Sequence, residues 1–441
     1  MSSILINNAF IVTMNQDRQV LQGGLLVEDD HISAIGSIHQ TADRVINARG
    51  QILIPGLIQA HVHLCQTLFR GQADDMELMD WLQKCIWPLE AAHDPESVYY
   101  SALLGIGELF RGGTTAIIDM ETVNHTEHAF QAIVDTGMRA ISGKVMMDCG
   151  PSSIGNLLEN TESSLQQSVD LLEKWHGAAG GRLQYAFTPR FAISDSEELL
   201  AKVRDLARHY NVRVHTHASE TEEEVAILMS EKGLRNIVYL DQLGLTGPNL
   251  ILAHCIWVDK EEIEILRRSG TKVVHCPSSN LKLGSGIAPI PQMIEQGIQV
   301  ALGADGAPCN NNLDQFIEMR IASLIQKPLH GPTAMSSRQT FEIATLGGAA
   351  AMGLEQQIGS LEVGKKADLA LVDLNNLHCA PSDYNNIYSQ LVYQAKSCDV
   401  TMTMVDGKIV FINDRLTTID ETDLLLQCKK AINRVRRQAG L

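Results

Sequence analysis

The sequence is short of positive charge and has no long hydrophobic run. Thirty-five Lys and Arg stand against 52 Asp and Glu, and the formal net charge of −17 would repel a phosphate backbone or an anionic membrane surface. No apolar run reaches the roughly 18 residues that a membrane-spanning helix needs. The start, MSSILINNAF, has neither the basic region nor the long apolar region of a signal peptide. We therefore expect no nucleic-acid partner and no membrane partner.

The cysteine pattern argues against a disulfide framework. The nine cysteines are odd in number and include no C-x-x-C pair, which fits reduced thiols in a cytoplasm. With 45% hydrophobic and 20% charged residues, the composition excludes the disordered and fibrous classes. A chain of 441 residues is long for one hydrophobic core, so we expect two domains or one domain with an appendage. The sequence predicts a cytoplasmic protein with a small-molecule ligand.

Both ends of the chain have the pattern of small β-sheets. Residues 1–55 alternate apolar and polar positions between tight turns, and residues 364–414 do the same, with Asp406-Gly407 as a hairpin turn. A periodic helix is predicted for residues 421–438. We therefore predict one β-sandwich domain of antiparallel hairpins, which combines residues 1–55 with residues 362–441 and includes this C-terminal helix.

The middle of the chain, residues 56–361, alternates short apolar segments with amphipathic helical stretches. Apolar strands that alternate with helices predict a parallel sheet, and a count of eight fits an α/β fold of the (β/α)8 TIM-barrel type. Catalytic residues of such barrels lie at the carboxyl ends of the strands. The eight predicted strands lie in PGLIQAHVHL, TTAIIDM, RAISGKVMMD, LQYAFTPR, VRVHTHASE, LILAHC, KVVHCPSS and VALGADG.

Histidines and one aspartate recur at the ends of these predicted strands. His61 and His63 are two residues apart on a strand, so both side chains point to the same face and converge inside a barrel. Alone, such a pair more often consists of one buried and one loop histidine. Titratable residues at one end of so many strands are costly to bury without a shared purpose, and they predict a metal site. The strand-end residues are His61, His63, His215, His217, Glu220, His254, His275 and Asp305.

Spacing alone does not choose between His215 and His217 as a metal ligand, because both share one face of the fifth strand. The remaining histidines lie in predicted loops or helices, and we interpret them as surface or structural residues. They are His31, His39, His93, His125, His128, His176, His209, His330 and His378.

Six separated motifs resemble those of the amidohydrolase superfamily, in its deaminase and chlorohydrolase branch. They are PGLIQAHVHL, VHTHASET, LAHC, HCPSSNLKLGSGIAP, LGADGAPCNNNLD and GSLEVGKKADL. The resemblance runs nearly end to end and includes the β-sandwich built from both termini. Further segments, HLCQTLFRGQADD, LMDWLQKCIWPLEAAHD and DMETVNH, are most similar to those of 5′-deoxyadenosine deaminases and of methylthioadenosine/S-adenosylhomocysteine deaminases.

The resemblance implies one divalent metal ion, Zn²⁺ or Fe²⁺, with ligands His61, His63, His217 and Asp305. It makes His215 a structural candidate and leaves the role of His275 open. Glu220 matches the proton shuttle of the family, and His254 matches the histidine that contacts the substrate and the attacking water. Because strand four ends in TPR and Lys144 lies within strand three, no lysine is placed to bridge a second metal.

The resemblance also implies a reaction. Hydroxide attacks C6 of an adenine ring, Glu220 relays a proton to N1, His254 steadies the oxyanion, and Asp305 takes up the remaining hydroxyl proton. Glu90 matches the acceptor of the ribose hydroxyls, and Trp81 matches an aromatic residue of the same pocket.

Two residues depart from the pattern of the resembling deaminases. Arg190 replaces a typical His and is able to donate to a purine nitrogen or a carbonyl oxygen. Lys144 stands where homocysteine-accepting relatives often have Arg, which favours a small, uncharged 5′ group.

The expected substrate is a purine nucleoside: 5′-deoxyadenosine, or related 5′-methylthioadenosine, S-adenosylhomocysteine or adenosine. A triazine (chloro)hydrolase and a guanine deaminase are alternatives on the same scaffold. Glu90 argues against a triazine, which has no vicinal diol, whereas Arg190 favours guanine. A catalytically silent binding barrel is a further alternative, and the intact ligand set argues against it. We also expect a homo-oligomer.

Overall fold

The computed structural model describes residues 3–150, 152–382 and 384–441. Within these ranges the strands form two sheets. In chain order the strands are β1 (Ser3–Val12), β2 (Val20–Glu28), β3 (His31–Gly36), β4 (Arg44–Asn47), β5 (Ile52–Pro55), β6 (Leu57–His63), β7 (Thr114–Met120), β8 (Arg139–Gly143), β9 (Val145–Met146), β10 (Leu183–Pro189), β11 (Arg213–Ala218), β12 (Leu250–His254), β13 (Lys272–His275), β14 (Val300–Leu302), β15 (Asp305–Gly306), β16 (Leu369–Val372), β17 (Val400–Val405), β18 (Lys408–Ile412) and β19 (Arg415–Leu416).

Helices connect the strands and cover the outside of the larger sheet. They are α1 (Leu78–Trp81), α2 (Trp87–Ala91), α3 (Pro95–Arg111), α4 (Thr126–Thr136), α5 (Thr161–Trp175), α6 (Glu197–Tyr210), α7 (Glu222–Lys232), α8 (Asn236–Gln242), α9 (Lys260–Ser269), α10 (Pro277–Lys282), α11 (Ile290–Glu295), α12 (Ala307–Asn310), α13 (Gln315–His330), α14 (Ser337–Glu342), α15 (Gly348–Met352), α16 (Ile387–Tyr393) and α17 (Glu421–Ala439). Two π-helical turns, Leu82–Ile86 and Ile343–Gly347, join α1 to α2 and α14 to α15. None of these helices is long and apolar enough to cross a membrane.

The larger sheet is the predicted barrel. Its strands pair in the order β14-β13-β12-β11-β10-β8-β7-β6-β15, and every pair is parallel. Because β14 and β15 are two halves of one chain segment, this order closes the sheet on itself. Side chains that face its interior are small or β-branched, such as Ile58, Ile118, Ile251 and Val274. The prediction of a TIM-like barrel with a separate sheet from both termini is therefore confirmed.

Gly303 permits the closure of the barrel between β14 and β15. A Cβ atom on Gly303 would lie 2.9 Å from both the backbone nitrogen and the backbone oxygen of His61 on β6. Real Cβ atoms do not approach backbone this closely, so a larger residue would push the eighth strand away from the first. The absence of a side chain here brings Asp305 next to His61 and His63.

The smaller sheet combines both termini, as predicted, but its strands are not all antiparallel. Their order is β19-β18-β17-β16-β5-β1-β2-β3, and β4 also pairs with β1. The strands β4 and β5 both run parallel to β1, so the prediction of a purely antiparallel sheet was wrong. A chain of hairpins would give antiparallel neighbours only, whereas here the connection from β3 to β5 crosses back over the sheet.

The predicted hairpin turn lies between β17 and β18. Asp406 and Gly407 both have positive φ angles, 52° and 74°, as a two-residue turn of type I′ requires. Asp406 also helps to fasten the barrel to the smaller sheet. Arg139 on β8 donates to Asp368 at 2.7 and 3.0 Å and to Asp406 at 3.0 Å. The domain boundaries at residues 55/56 and 361/362, the cytoplasmic location and the homo-oligomer stay predictions.

Candidate metal centre and active-site cavity

Three histidines and one aspartate converge at the carboxyl ends of three barrel strands. His61 and His63 come from β6, His217 from β11 and Asp305 from β15. Asp305 Oδ1 lies 3.2 Å from His61 Nε2 and 3.3 Å from His63 Nε2, and His63 Nε2 lies 3.3 Å from His217 Nε2. All four ligand atoms lie within 4.8 Å of one another. These distances match the edges of a tetrahedron around a metal at 2.0–2.1 Å, which are about 3.3 Å.

Backbone carbonyls orient two of the imidazole rings. His63 Nδ1 lies 2.7 Å from the carbonyl oxygen of Met120, and His217 Nδ1 lies 2.7 Å from that of Arg190. A carbonyl only accepts hydrogen bonds, so each Nδ1 carries the proton and each Nε2 presents a lone pair. Such a second hydrogen bond is typical of metal-binding histidines.

The third ring is oriented by His215. The carbonyl of Ile251 accepts from His215 Nδ1 at 3.2 Å, which leaves His215 Nε2 as an acceptor. His61 Nδ1 lies 2.8 Å from that atom and donates to it. The lone pair of His61 is therefore on Nε2, which is buried and has no hydrogen-bond partner among the described residues. His215 thus faces His61 and lies outside the cluster of four, whereas His217 lies within it.

The two oxygens of Asp305 face different neighbours. Oδ1 points to the two histidines of β6. Oδ2 accepts a hydrogen bond from Ser279 Oγ at 2.6 Å and lies 3.9 Å from His254 Nε2. The backbone of Asp305 has a φ angle of 65°, a left-handed conformation that residues other than Gly adopt uncommonly.

The electrostatics of the cluster fit a bound cation. Burial lowers the pKa of His61 to about 4 and that of His217 well below its usual value, so both rings are neutral, the form that binds metal. Burial alone would raise the pKa of Asp305, but the close approach of the neighbouring imidazoles holds it well below its usual value. Neutral imidazoles with one carboxylate suit Zn²⁺ or Fe²⁺.

Glu220 and His254 lie beside the cluster. His254 Nε2 is 3.6 Å from Glu220 Oε2, and the φ angle of His254 is 72°. Burial raises the pKa of Glu220, which brings its carboxyl group closer to the range in which it can both accept and release a proton. Burial alone would lower the pKa of His254, but the nearby carboxylates of Glu220 and Asp305 raise it, and the pKa lies above its usual value.

A cavity of about 30 Å³ opens above the cluster, with room for about one water molecule. Its roof comes from the helical segment over the barrel mouth, and Trp81 contributes a buried indole Nε1 with no acceptor among the described residues. The lining residues are His63, Gln66, Leu78, Trp81, Leu82, Arg190, Phe191, His217, Glu220, His254, Leu283 and Asp305.

Glu90 and Arg190 form a buried ion pair at one wall of the cavity. Arg190 donates to Glu90 Oε2 at 2.7 Å and to Oε1 at 3.2 Å, and Gln66 Nε2 donates to Oε1 at 2.8 Å. Burial would raise the pKa of Glu90, but Arg190 and Gln66 lower it, which keeps the carboxylate charged. Glu90 lies behind its two partners, since Gln66 and Arg190 line the cavity and Glu90 does not.

Lys144 and His275 are buried and lie outside the cluster. Lys144 Nζ donates to Glu159 Oε1 at 2.6 Å and to the carbonyl of Val145 at 3.0 Å, so its charge is already paired. Burial lowers the pKa of His275 to about 3, and neither of its nitrogens has a partner among the described residues. Of the other histidines, His93 is buried and bonded to Ser97 and to the carbonyl of Cys65.

Sequence reasoning missed Gln66, Ser279 and Asn280. Each follows a barrel strand by three to five residues, at the same end as the predicted ligands. A search for titratable residues alone passes over amides and hydroxyls, although their position after a strand end was visible.

Comparison with known proteins places the chain in a family. The amidohydrolase family profile matches residues 52–410. The chain belongs to the amidohydrolase family. A 5′-deoxyadenosine deaminase of Methanobrevibacter smithii is 42% identical to this amidohydrolase over 99% of the chain and 98% of the relative. A 5-methylthioadenosine/S-adenosylhomocysteine deaminase of Syntrophomonas wolfei is 36% identical over 98% of the chain and 99% of the relative.

A solved structure agrees with this placement. The crystal structure of an adenosine deaminase from Xanthomonas campestris, with bound zinc, superposes on this amidohydrolase with a TM-score of 0.93. The two chains are 33% identical, and the match covers 99% of each. The likeness therefore extends over both the barrel and the sheet built from the termini.

Removal of one ligand of the cluster should remove the metal. We expect His61→Ala and Asp305→Ala to lose bound metal and activity together, because the three remaining ligands hold a divalent ion poorly. Elemental analysis of the purified variants measures the metal, and His209→Ala, on an exposed part of α6, is the control. Stoichiometric metal with near-normal turnover in either variant would show that the ligand assignment is wrong.

Proposed function

We propose that this amidohydrolase is a metal-dependent deaminase that converts 5′-deoxyadenosine, or a closely related 5′-modified adenosine, to the inosine analogue and ammonia. The observation that carries the proposal is the convergence of the four-ligand cluster, Glu220 and His254 on one cavity. The two curated relatives, which match over nearly their whole length, support adenosine-type substrates.

The proposed ligands are His61, His63, His217 and Asp305. A divalent metal held by these residues would supply hydroxide at neutral pH, because a bound metal lowers the pKa of water from 15.7 to about 7. Glu220 takes a proton from the attacking water and passes it to N1 of the adenine ring while C6 is attacked. His254 stabilises the developing negative charge through Nε2, and Asp305 Oδ2 accepts the remaining hydroxyl proton and helps to deliver it to the departing amine.

The wall formed by Glu90, Gln66 and Arg190 suits a ribose diol. A carboxylate has about four acceptor positions, and three of them on Glu90 are already used by Arg190 and Gln66. One position on Glu90 is therefore free, and Gln66 Oε1 is a second buried acceptor with no partner among the described residues. Two neighbouring acceptors match two vicinal hydroxyl donors, and because Glu90 lies behind Gln66 and Arg190, one of these two side chains has to move aside when the diol binds.

The part of the sequence that follows Lys144 favours a small, uncharged 5′ group. Lys144 is neutralised by Glu159, and residues 145–173 contain no Lys or Arg. Met147, Ile154 and Leu157 of this segment pack with the roof of the cavity. A homocysteine carboxylate would meet an apolar surface there without a cation to pair with, which is unfavourable.

Apolar residues from two segments of the chain line the cavity: Leu78, Trp81 and Leu82 from one, and Leu283 from the other. The π-helical turn Leu82–Ile86 continues the first segment. Such turns are frequent at functional sites.

An ammonia-release screen tests the proposed function. We expect 5′-deoxyadenosine and 5′-methylthioadenosine to give the highest kcat/KM, with S-adenosylhomocysteine lower. Adenosine, guanine and chlorotriazines complete the panel. An outright preference for guanine or a chlorotriazine would contradict the substrate class, and the absence of hydrolysis with metal-loaded protein on every compound would support the silent barrel instead.

Glu220→Gln should separate proton transfer from metal binding. The amide is nearly isosteric and Glu220 is not one of the four proposed ligands, so bound metal should stay at the parent level. The rate should fall by roughly 10²–10⁴-fold, the usual contribution of general acid–base catalysis. Glu223→Gln, on the exposed face of α7, is the control. The proton-relay role is wrong if the variant keeps more than about a tenth of the parent rate.

Glu90→Gln should lower kcat/KM for substrates whose ribose carries the 2′,3′-diol more than for substrates that lack it. The amide keeps an acceptor for Arg190 but loses the charge that strengthens hydrogen bonds from the diol. We expect a loss of roughly fivefold in kcat/KM for 5′-deoxyadenosine, because hydrogen bonds to charged groups are worth about 1 kcal/mol more than neutral ones.

The control for Glu90→Gln is a 2′,3′-dideoxy analogue, which lacks both donors and should lose little. Steady-state kinetics on the two substrates measure the difference. Part of the loss should appear in kcat, since the sugar contact helps to hold C6 in place. Equal losses on both substrates would mean that Glu90 supports the fold instead.

A further inference from the structure

Two adjacent residues of α10 each contact a different proton-handling residue of the site. Ser279 Oγ donates to Asp305 Oδ2 at 2.6 Å, and Asn280 Oδ1 lies 2.8 Å from His254 Nδ1. Both side chains are fully buried, and neither lines the cavity. They therefore act on the reaction only through Asp305 and His254.

Ser279 and the backbone of Gly306 each bind a different oxygen of the Asp305 carboxylate. The hydroxyl group binds the oxygen that points away from His61 and His63, and the backbone N–H of Gly306 binds the other at 2.7 Å. With both oxygens held, the carboxylate cannot rotate about its own axis without the loss of one of these bonds. Oδ1 thus stays on the side of the cluster, and Oδ2 stays on the side of His254.

Asn280 fixes the ring of His254 in a form that suits proton transfer. An amide oxygen only accepts, so Nδ1 carries a proton. This hydrogen bond is present whether Nε2 is protonated or free. Nε2 therefore stays directed at Glu220 and Asp305 without any turn of the ring.

The short helix α10 is itself well anchored. Ser278 N and Oγ donate to the buried carboxylate of Glu318, and Lys282 Nζ donates to the carbonyl of Pro308 at 2.7 Å. The backbone oxygen of Asn280 accepts from the N–H of Ser285 at 2.8 Å. A rigid support is what a precise site needs behind its reacting groups.

We propose that Ser279 and Asn280 are positioning residues for the proton transfers of this site: Ser279 aims Asp305 Oδ2, and Asn280 aims His254 Nε2. This inference rests on the proposed hydrolytic function. It assigns both residues to turnover, and it assigns neither to the binding of metal or substrate.

Four variants test the proposal on the full-length, metal-loaded protein: Ser279→Ala, Asn280→Ala, Asn280→Asp and the control Ser278→Ala. We expect Ser279→Ala and Asn280→Ala to keep full metal content and a KM within about threefold of the parent, while kcat falls by roughly 10–100-fold, as is common for such outer residues. Asn280→Asp keeps an acceptor for Nδ1 and should recover much of the loss in kcat.

Ser278→Ala removes a buried hydroxyl one residue away that contacts Glu318 instead of Asp305. It should lower the melting temperature at least as much as Ser279→Ala but leave kcat near the parent value. The proposal is overturned if Ser279→Ala and Asn280→Ala keep kcat within threefold, or if Ser278→Ala loses as much kcat as they do. It is also overturned if metal is lost in proportion to kcat, or if Asn280→Asp is no better than Asn280→Ala.

The substrate for these assays is whichever compound the parent enzyme turns over fastest in the ammonia-release screen. A different preferred substrate would then contradict the proposed substrate class and leave the positioning test intact. A parent enzyme without hydrolytic activity would contradict the proposed function before any variant is made.

Discussion

The structure depends on the convergence of three imidazole nitrogens and one carboxylate oxygen within 4.8 Å of one another. In a buried setting such a cluster is unfavourable without a cation, because lone pairs and negative charge face each other away from water. The surrounding architecture holds it together nonetheless. The carbonyls of Met120 and Arg190 fix two rings, and Gly303 allows β15 to reach β6. Binding of a metal would therefore stabilise the closed barrel as well as supply chemistry.

The same region concentrates backbone strain. His254 and Asp305 both have positive φ angles at the ends of their strands, and such conformations cost of order 1–3 kcal/mol each. The layer of small and β-branched side chains beneath them and the hydrogen bonds from Asn280 and Ser279 offset this cost. These backbone conformations direct the side chains of His254 and Asp305 toward each other at the ends of their strands.

The barrel and its strand-end residues could be predicted because both follow from local periodicity. Strands alternate with helices along the sequence, and His61 and His63 share a face by spacing alone. The partner of Glu90 could not be found in this way, because Arg190 is 100 residues distant in the chain and only the closed barrel brings the two together. The contact between His215 and His61 likewise joins residues that are far apart in the sequence. The parallel pairing of β4 and β5 with β1 depends on a chain crossing that leaves no periodic signal.

Charge pairing around the cavity connects these features to specificity. Arg190 and Glu90 neutralise each other at one wall, and Lys144 and Glu159 do so beside it. Of the described residues that line the cavity, Arg190 is the one with a permanent positive charge. In both pairs the positive charge is already neutralised. A substrate carboxylate would have to compete with Glu90 or Glu159, which is already buried and desolvated beside its cation. This pairing is consistent with the proposed neutral nucleoside substrate, whose hydroxyl groups and ring nitrogens offer hydrogen bonds instead of charge.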